Sequence, residues 1–543
     1  MKKIFFLASA LTLSMVAGTL AQQKNTDPLQ AGESIGVVET QTGKVRGYVH
    51  KNTYVYKGIP YAESERFMPP QKPKSWTGVR SSMTYGPVCP MDATTSTNDV
   101  LEFAFDHNWG YTNEKCQVLN VWTQGINDNK KRPVMVWLHG GGFSAGSSIE
   151  LPSYDGAALS KKGDVVVVSV NHRLNVLGFC DLSAFGEKYK ASANVGAMDL
   201  LAALHWVRDN IANFGGDPNN VTIFGQSGGG AKVTTLMYAP AAKGYFHKAV
   251  VQSGSYRTSF LEPADSKRVG VALLEELGLK AEQVDSLQKI SYDVLNAASK
   301  KAIQKVQAAM KAEGKAFIGG GLNWGPVHDG TFLPYQQEEA AGLDIANDVP
   351  LLMGSTKNEF MQSLMNPAIA KFSMDEVKAF LQKKYGDKTE AYLSEVKKAY
   401  PNTTKPSDFI DLDLAAFRPG AVVQANWRSA MKTAPVYMYM FTWQSPVMDG
   451  MYKAIHCIDL PFVFNNVARC EQMTGGGTEA LALGDKMSQA WINFARTGNP
   501  NHKGLPTWQP YTAEKGATMF FDNQCLERYH HDKGLLEIAA SVK

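Results

Sequence analysis

The sequence predicts an α/β protein with a central, mostly parallel sheet flanked by helices. Short, continuous apolar runs such as "PVMVWLHG", "DVVVVSVN" and "VPLLMGS" are typical of strands that are buried on both faces. Helical patterns lie between these runs, and alternating strands and helices indicate a doubly wound sheet. The hydrophobic content of 44% and the charged content of 20% are those of an ordinary globular protein.

Further elements follow from their local patterns. "NVTIFG", "KAVVQSG" and "PVYMYMFTW" predict three more buried strands. "AMDLLAALHWVRDNIANFGG" repeats apolar residues at intervals of three and four, and we expect this helix to stop at Gly215 and Gly216, where a left-handed end needs glycine. Two polar helical regions, at about 261–317 and 367–432, interrupt the alternation. We interpret them as insertions in a single domain covering 22–543, either solvated or forming a cap over the active site.

The amino terminus has the layout of a secretory signal peptide over residues 1–21. Lys2 and Lys3 precede an apolar run that ends in small residues, so we expect cleavage after Ala21 and export to a bacterial periplasm or to the exterior. The run is too short for a membrane span, and no later segment predicts one. Loss of the two lysines lowers the formal net charge from +4 to +2, which leaves no basic footprint for nucleic acid.

Six cysteines in an exported chain favour disulfide bonds, because that compartment is oxidising. A bond between Cys89 and Cys116 would close a polar loop. Three further cysteines leave their pairing open, namely Cys457, Cys470 and Cys525.

The stretch "FGQSGGG", residues 224–230, places Gly225, Ser227 and Gly229 in the spacing G-x-S-x-G. It follows the apolar strand "VTIF" and precedes "GGGAKVTTLMYA", which has the character of a helix. That strand, turn and helix context predicts a nucleophile elbow, in which the glycines permit a tight turn and Ser227 is the nucleophile. Such a serine needs a base to take its proton and donors to hold the oxyanion.

The oxyanion donors are expected in "WLHGGGFSAG", residues 137–146, which also follows a strand. Gly141 and Gly142 have no side chains to block a carbonyl oxygen, and the N–H of Gly228 joins theirs. We interpret His139 as a residue that fixes this loop by hydrogen bonds.

The base is expected among the histidines after Ser227, since the chain order in such folds is nucleophile, acid, histidine. His456 lies in "AIHCIDLPFVF", beyond the strand "PVYMYMFTW", and is the first choice. His328 in "GPVHDG" is the second. His530 and His531 lie in a charged tail, where a surface or weak metal-binding role suits them better.

The acid that orients this histidine is expected to be Glu359. It follows the strand "VPLLMG" in "GSTKNEF", between the serine and the histidine along the chain. Asp329 and Asp459 are rivals, although Asp459 is close enough to His456 in sequence to serve the local loop instead.

The chain resembles the type-B carboxylesterase and cholinesterase family from about residue 36 to residue 523, in segments that include "YKGIPYAESERFMPP", "HGGGFSAGS", "NHRLNVLGF" and "HCIDLPFVF". The resemblance implies the α/β-hydrolase fold and the roles already assigned to the serine, the acid, the histidine and the three glycines. It also implies a disulfide between Cys89 and Cys116, and a supporting role for Ser253 beside the triad.

Two departures from the family pattern bear on the site. Gly228 stands where the family usually has alanine, which keeps the N–H and is expected to loosen the turn. Gln226 stands where cholinesterases usually carry glutamate, so we expect neutral esters rather than choline esters.

The sequence therefore predicts a serine hydrolase of neutral carboxylic esters with small to medium acyl groups, working through an acyl-enzyme. The expected partner is a small-molecule ester, with no metal and no organic cofactor. The alternative is a catalytically inactive binding or adhesion protein of the same family. Such a protein should lack the serine, the acid or the histidine, and all three are present here. The natural ester, the stereochemical preference and the oligomeric state stay open.

Overall fold

The computed structural model describes residues 28–92, 98–315 and 321–542. The predicted signal peptide lies outside these ranges. Within them the strands are β1 (Val37–Thr40), β2 (Gly43–Arg46), β3 (Tyr48–His50), β4 (Thr53–Pro60), β5 (Val79–Ser81), β6 (Val118–Thr123), β7 (Arg132–Leu138), β8 (Val166–Val170), β9 (Gly216–Gln226), β10 (Lys248–Gln252), β11 (Leu351–Thr356), β12 (Val436–Phe441), β13 (Ala517–Phe521) and β14 (Leu526–Tyr529).

The α-helices of the same ranges are α1 (Asp99–Phe105), α2 (Ala157–Gly163), α3 (Asn175–Phe179), α4 (Val195–Asn210), α5 (Gly228–Met237), α6 (Pro263–Glu276), α7 (Tyr292–Ala312), α8 (Ala340–Asp344), α9 (Gln362–Met365), α10 (Met374–Tyr385), α11 (Thr389–Ala399), α12 (Phe417–Ala430), α13 (Leu460–Val463), α14 (Glu471–Thr474), α15 (Thr478–Thr497) and α16 (Lys533–Ala540). None of these helices is both long enough and apolar enough to cross a membrane.

The central sheet has the strand order β14-β13-β12-β11-β10-β9-β7-β8-β6-β4-β3. The strands from β13 to β8 in this order are mutually parallel, and antiparallel strands flank them at both edges. This architecture confirms the predicted mostly parallel sheet flanked by helices. A second, three-stranded sheet has the order β1-β2-β5.

The apolar runs in the strands are continuous because their side chains pack into a hydrophobic core on each face of the sheet. Val134 and Val136 of β7 belong to the core that contains α4, whereas Met135 and Trp137 belong to the core that contains α15. Successive side chains of a strand point to opposite faces, so a strand covered on both sides has no polar face.

The predicted end of the long helix is confirmed. α4 continues as a 3₁₀ turn over Ile211–Phe214, and Gly215 then adopts φ 74°, a left-handed conformation that glycine takes without steric cost. Gly216 opens β9 directly, so the chain passes from the helix into the strand that carries the serine motif.

Helices also occupy both predicted insertion regions. α6 and α7 lie in the first, and α10, α11 and α12 lie in the second. Side chains of α10 and α11 share a third core with α16, centred on residues such as Val377, Val396 and Leu535. The division of the chain into one domain with insertions stays a prediction.

The structure contradicts the expected disulfide. Cys89 and Cys116 are both free and buried, and the remaining four cysteines, at 180, 457, 470 and 525, are free as well. Burial, together with a hydrogen bond to Cys89, raises the pKa of the Cys116 thiol well above its usual range. Cys89 Sγ also accepts a hydrogen bond from the backbone N–H of Leu174, at 3.2 Å. The Cys89 and Cys116 thiols are thus buried in the core without a covalent bond between them.

Candidate active site

Ser227 occupies a strained turn between β9 and α5. Its backbone has φ 58° and ψ −126°, a region that residues with a side chain rarely adopt and that costs about 1–3 kcal/mol. Two backbone hydrogen bonds hold it there. The N–H of Ser227 donates to the carbonyl of Gln252 at 2.8 Å, and its carbonyl accepts from the N–H of Ala231 at 3.1 Å.

The two glycines of the motif are required by close backbone contacts. A Cβ atom at Gly229 would lie 1.9 Å from the carbonyl oxygen of Leu138, at the end of β7. A Cβ atom at Gly225 would lie 2.4 Å from the carbonyl carbon of Gly229. Since real Cβ contacts are never this short, only glycine allows α5 to begin against the end of β7. The spacing G-x-S-x-G follows from this packing.

The glycines of the expected oxyanion loop come close to the start of α5. Gly141 and Gly142 have φ values of 78° and 62°, which favour glycine. A Cβ atom at Gly228 would lie 2.3 Å from the backbone nitrogen of Gly142. The expectation that Gly228 loosens the turn therefore needs correction, because the missing methyl group lets the backbone of Gly142 pack tightly against Gly228.

Glu359 and His456 form a buried pair. The Nδ1 atom of His456 donates to Glu359 Oε2, and the backbone N–H of His456 donates to the carbonyl of Glu359 at 3.0 Å. Glu359 Oε1 accepts from the N–H of Thr356, at the end of β11, at 2.9 Å. The exposed fractions are 1% for Glu359 and 7% for His456, so the carboxylate acts on the ring with little screening by water.

The ring of His456 is enclosed on its other sides. The rings of Phe360 and Phe417 lie 4.5 and 5.1 Å from it, centroid to centroid. The amide nitrogen of Gln226 lies 3.3 Å from both ring nitrogens. Gln226 is neutral and fully buried, and its amide oxygen accepts from the thiol of Cys457 at 3.2 Å. The imidazole is therefore held in place by neutral neighbours and one carboxylate.

Ser227, Glu359 and His456 line one cavity of about 370 Å3, together with Gly141 and Gly142. No hydrogen bond joins Ser227 to His456 through their side chains within the described residues, which is common before a substrate is bound. Eight of the other wall residues are apolar. Six come from α1 and from the segment around α9, namely Leu101, Phe105, Phe360, Met361, Leu364 and Met365, and the other two are Leu151 and Ile455. None of the residues described between 261 and 315 lines this cavity.

The second choice for the base and one rival acid lie elsewhere. His328 Nε2 contacts the carbonyl oxygen of Pro334 at 3.0 Å. Asp329 accepts from Asn194 Nδ2 and from the N–H of Leu333, at 2.9 Å in both cases. Neither residue lines the cavity. Their contacts hold the loop that contains them and join it to Asn194, the residue before α4.

Asp459, the other rival acid, is buried below the site. It accepts from the hydroxyl of Tyr439 at 2.8 Å and from Gln252 Nε2 at 3.2 Å. Burial raises the pKa of Asp459 to about 6. Its contacts tie the loop after His456 to β10 and β12, in keeping with the local role expected from its position.

The interpretation of His531 as a surface residue is wrong. Its ring packs edge-on against Phe520, 4.5 Å between centroids, and against Tyr400, 5.7 Å away. Burial lowers the pKa of His531 to about 3, in spite of the neighbouring Asp532 carboxylate. The charged residues next to His531 in the sequence do not indicate that it is buried. The neighbouring Asp532 is itself buried because it pairs with Arg418, which lies far away in the sequence, in α12.

Ser253 follows β10 with φ 44°, and its N–H donates to the carbonyl of Gly354 at 2.8 Å. Its hydroxyl is buried and has no hydrogen-bond partner among the described residues. A supporting role for it beside the triad stays a prediction. His139 is buried, and its Nδ1 contacts the carbonyl oxygen of Gly140 at 2.9 Å, within the expected oxyanion loop.

Sequence reasoning missed two ionisable residues close to this loop, the buried Lys232 and the partly buried Glu150. Glu150 lines the cavity, and burial raises the pKa of its carboxyl. Lys232 is fully buried in α5, a helix in which every residue is buried. The sequence did contain a signal for Lys232, because it is the one charged residue in the otherwise uncharged helix that follows the serine motif.

Comparisons with known proteins identify the family of this chain. Residues 34–533 match the model of a family described as the carboxylesterase family. The chain is 36% identical over 495 residues to para-nitrobenzyl esterase of Bacillus subtilis (strain 168), which covers 90% of this chain and 95% of that protein. It is 34% identical over 526 residues to carboxylesterase 1D of Rattus norvegicus, covering 88% of each chain.

Solved structures give the same result. An esterase from Clostridium hathewayi that can hydrolyse aliphatic aromatic polyesters superposes with a TM-score of 0.81 at 37% identity, covering 94% of this chain and 99% of that one. A carboxylesterase from Geobacillus stearothermophilus superposes with a TM-score of 0.74 at 33% identity, covering 94% and 100%. The fold is that of an α/β-hydrolase, and the class that fold and site define is a serine hydrolase of carboxylic esters. The chain belongs to the carboxylesterase family.

Proposed function

We propose that this carboxylesterase cleaves neutral carboxylic esters through an acyl-enzyme on Ser227, with His456 as the base and Glu359 as the acid. The observation that carries the proposal is the meeting of the Glu359 and His456 pair with the strained Ser227 turn in one cavity. An exposed nucleophile on a strained turn and an imidazole oriented by a buried carboxylate are what acyl transfer requires.

In this mechanism His456 Nε2 takes the hydroxyl proton of Ser227 while Ser227 Oγ attacks the ester carbonyl carbon. The carbonyl oxygen becomes an oxyanion held by the N–H groups of Gly141, Gly142 and Gly228. His456 then gives the proton to the departing alcohol. A water molecule next loses a proton to His456 and attacks the acyl carbon. His456 returns this proton to Ser227 Oγ as the bond between Oγ and the acyl carbon breaks, which releases the acid and restores Ser227. Glu359 stabilises the imidazolium of His456, which forms both in acylation and in deacylation.

The cavity supports neutral, small to medium acyl groups. Its volume of about 370 Å3 and its mostly apolar wall suit an uncharged chain of a few carbons or a small aromatic group. The neutral Gln226 beside His456 supports the same preference. The relatives named for para-nitrobenzyl esters and for aliphatic aromatic polyesters support the inclusion of aromatic esters among the substrates.

A chain-length series tests this proposal. We expect p-nitrophenyl butyrate to give a higher kcat/KM than the octanoate, and the acetate to be turned over as well. A fluorophosphonate should label one serine, and peptide mass spectrometry should locate it at Ser227. A folded protein that neither turns over these esters nor reacts with the fluorophosphonate would contradict the proposal and favour the inactive binding protein.

We also propose that the chain is exported after removal of residues 1–21. Support comes from the dilysine start, the apolar run and the small residues before Ala21. Expression of the full chain in a bacterial host, followed by fractionation and mass measurement, tests it. We expect the activity in the periplasm or the medium with a mature chain that begins at Gln22; an uncleaved cytoplasmic chain would contradict export.

A further inference from the structure

The ammonium group of Lys232 is buried behind the expected oxyanion loop. Its Nζ donates to the carbonyl of His139 at 2.8 Å and to the carbonyl of Gly140 at 3.3 Å, and the side chain has no exposed surface. Lys232 lies one turn after Gly229, where α5 packs against the backbone at the end of β7. Residues three apart share one face of a helix, so the side chain reaches the same loop.

The second of these hydrogen bonds fixes a peptide unit next to the nucleophile. The carbonyl of Gly140 and the N–H of Gly141 belong to one planar, trans peptide, so the two groups point in opposite directions. Holding the carbonyl on the side of Lys232 turns the N–H of Gly141 to the other side. A Cβ atom at Gly140 would lie 3.5 Å from the Cβ of Ser227, so this peptide is adjacent to the reacting hydroxyl.

The carbonyl of Gly140 also lies 2.9 Å from His139 Nδ1. When a carbonyl accepts hydrogen bonds from a ring N–H and from a charged donor, its peptide is polarised and its own N–H becomes a stronger donor. The Lys232 ammonium thus acts on the oxyanion through the Gly140–Gly141 peptide, and also through its charge in a region from which water is excluded.

We propose that Lys232 is a positioning residue for ester hydrolysis, which in its ammonium form holds the Gly140–Gly141 peptide with its N–H directed at the oxyanion. The inference rests on the proposed function and deepens it. His456 moves the proton and Glu359 stabilises its imidazolium, whereas Lys232 sets the strength of the N–H donor that receives the developing charge.

Several ionisable groups surround this lysine. Burial lowers the pKa of Lys232 to about 7, and the negative charge of the Glu150 carboxylate opposes this shift. Burial and the charge of Lys232 also lower the pKa values of His139 and His172 well below their usual range, so both rings are neutral near pH 7. Because an ammonium is lost as the pH rises through its pKa, the contribution of Lys232 should be largest below pH 7 and should decrease above it.

The test compares Lys232→Met, which removes charge and donors at similar shape, with Lys232→Gln, which keeps neutral donors. Lys248→Met serves as the matched control. Lys248 is also a buried lysine, but it lies at the first residue of β10, whereas the last residue, Gln252, contacts Ser227, and it donates to Asn220. Rates toward p-nitrophenyl butyrate are divided by the number of active sites titrated with a fluorophosphonate, so that misfolded protein does not count.

We expect Lys232→Met to lower kcat by about 10- to 100-fold, less than the loss of a whole oxyanion donor, with KM changed by less than about threefold. Lys232→Gln should recover part of this loss, and Lys248→Met should keep the wild-type kcat. A trifluoromethyl ketone, whose adduct on Ser227 carries an oxyanion, should bind Lys232→Met more weakly by about the same factor. The ratio of wild-type kcat to that of Lys232→Met should shrink between pH 6 and pH 9.

An active wild type with Lys232→Met at the same kcat per titrated site, or with a ratio that is constant over this pH range, would overturn this inference alone. A wild type inactive toward these esters would overturn the proposed function and the inference with it. Should Lys232→Met fail to fold, Lys232→Gln carries the same comparison, because it keeps hydrogen bonds to the loop. Wild-type kcat in Lys232→Gln at pH 6 would then contradict the role of the ammonium.

Discussion

His456 donates through Nδ1 to Glu359 Oε2, and the same two residues are joined by a backbone hydrogen bond of 3.0 Å from the N–H of His456 to the carbonyl of Glu359. The loop after β11, which carries Glu359, and the loop after β12, which carries His456, are therefore held together by a main-chain and a side-chain hydrogen bond. This double link ties the end of β11 to the loop beyond β12, and it fixes which ring nitrogen of His456 is free to face Ser227.

Replacing Glu359 by glutamine should lower kcat by about 10²- to 10⁴-fold with a small change in KM, because the amide neither selects the same tautomer as strongly nor stabilises the imidazolium. Steady-state kinetics with p-nitrophenyl butyrate measure this. Asp329→Asn is the control, since Asp329 was the rival acid and contacts Asn194 instead of the histidine. An equal loss in both variants would point to a general effect on folding and remove Glu359 from the triad.

Replacing Gly228 by alanine should lower kcat by about 10-fold or more, because the new methyl group would lie 2.3 Å from the nitrogen of Gly142 and displace an oxyanion donor. The free energy of unfolding should fall as well, since backbone atoms have to move. Gly477→Ala is the control, because nothing lies within 4 Å of a Cβ atom there. Unchanged kcat in Gly228→Ala would show that Gly142 is not a donor to the oxyanion.

Phe360 is 68% exposed although its ring packs 4.5 Å from that of His456 at the wall of the cavity. We expect Phe360→Ala to raise KM for p-nitrobenzyl butyrate by about 2- to 10-fold, since aromatic contacts of this kind contribute about 0.5–1.5 kcal/mol. Ethyl butyrate should be affected less. Phe103→Ala removes another exposed ring, one that does not line the cavity, and it should leave both KM values unchanged. Identical losses for both esters would contradict a contact between Phe360 and the aromatic group.

Stability should fall on acidification because of His531. Its pKa in the folded protein is about 3, below the ordinary value, so the unfolded chain binds a proton that the folded chain does not. The resulting loss begins as the pH falls through about 6.5 and amounts to about 2 kcal/mol at pH 5. Urea unfolding at pH 7.5 and pH 5 measures it.

In His531→Phe this part of the pH dependence should disappear, whereas His50→Phe, at the exposed end of β3, should keep the wild-type difference. A wild-type difference in His531→Phe would mean that other groups cause the acid sensitivity.

The strands next to the site could be predicted because β7, β11 and the second half of β9, from Val221, are buried on both faces and therefore leave apolar runs in the sequence. β5, which is exposed along its whole length, and the short edge strand β14 leave no such pattern. β5 pairs with β2, whereas β14 pairs with the preceding strand β13. Both depend on pairing at a sheet edge, which an apolar pattern does not reveal.

Within the site, the order of residues along the chain and their positions after strands were enough to predict Glu359 as the acid and His456 as the base. The contact between Gly142 and Gly228 could not be foreseen, because it depends on how closely two backbone segments approach in space. The same holds for Cys89 and Cys116, since spacing along a chain does not tell whether two thiols lie at bonding distance.

The most direct measurement of the central proposal compares wild-type protein with Ser227→Ala in the hydrolysis of p-nitrophenyl butyrate, with both proteins confirmed to be folded by circular dichroism. We expect turnover by the wild type and a loss of about 10⁴- to 10⁶-fold in the variant, because alanine lacks the hydroxyl that carries the acyl group in the proposed mechanism. A variant that keeps wild-type activity would show that Ser227 is not the nucleophile and would contradict the mechanism proposed for this carboxylesterase.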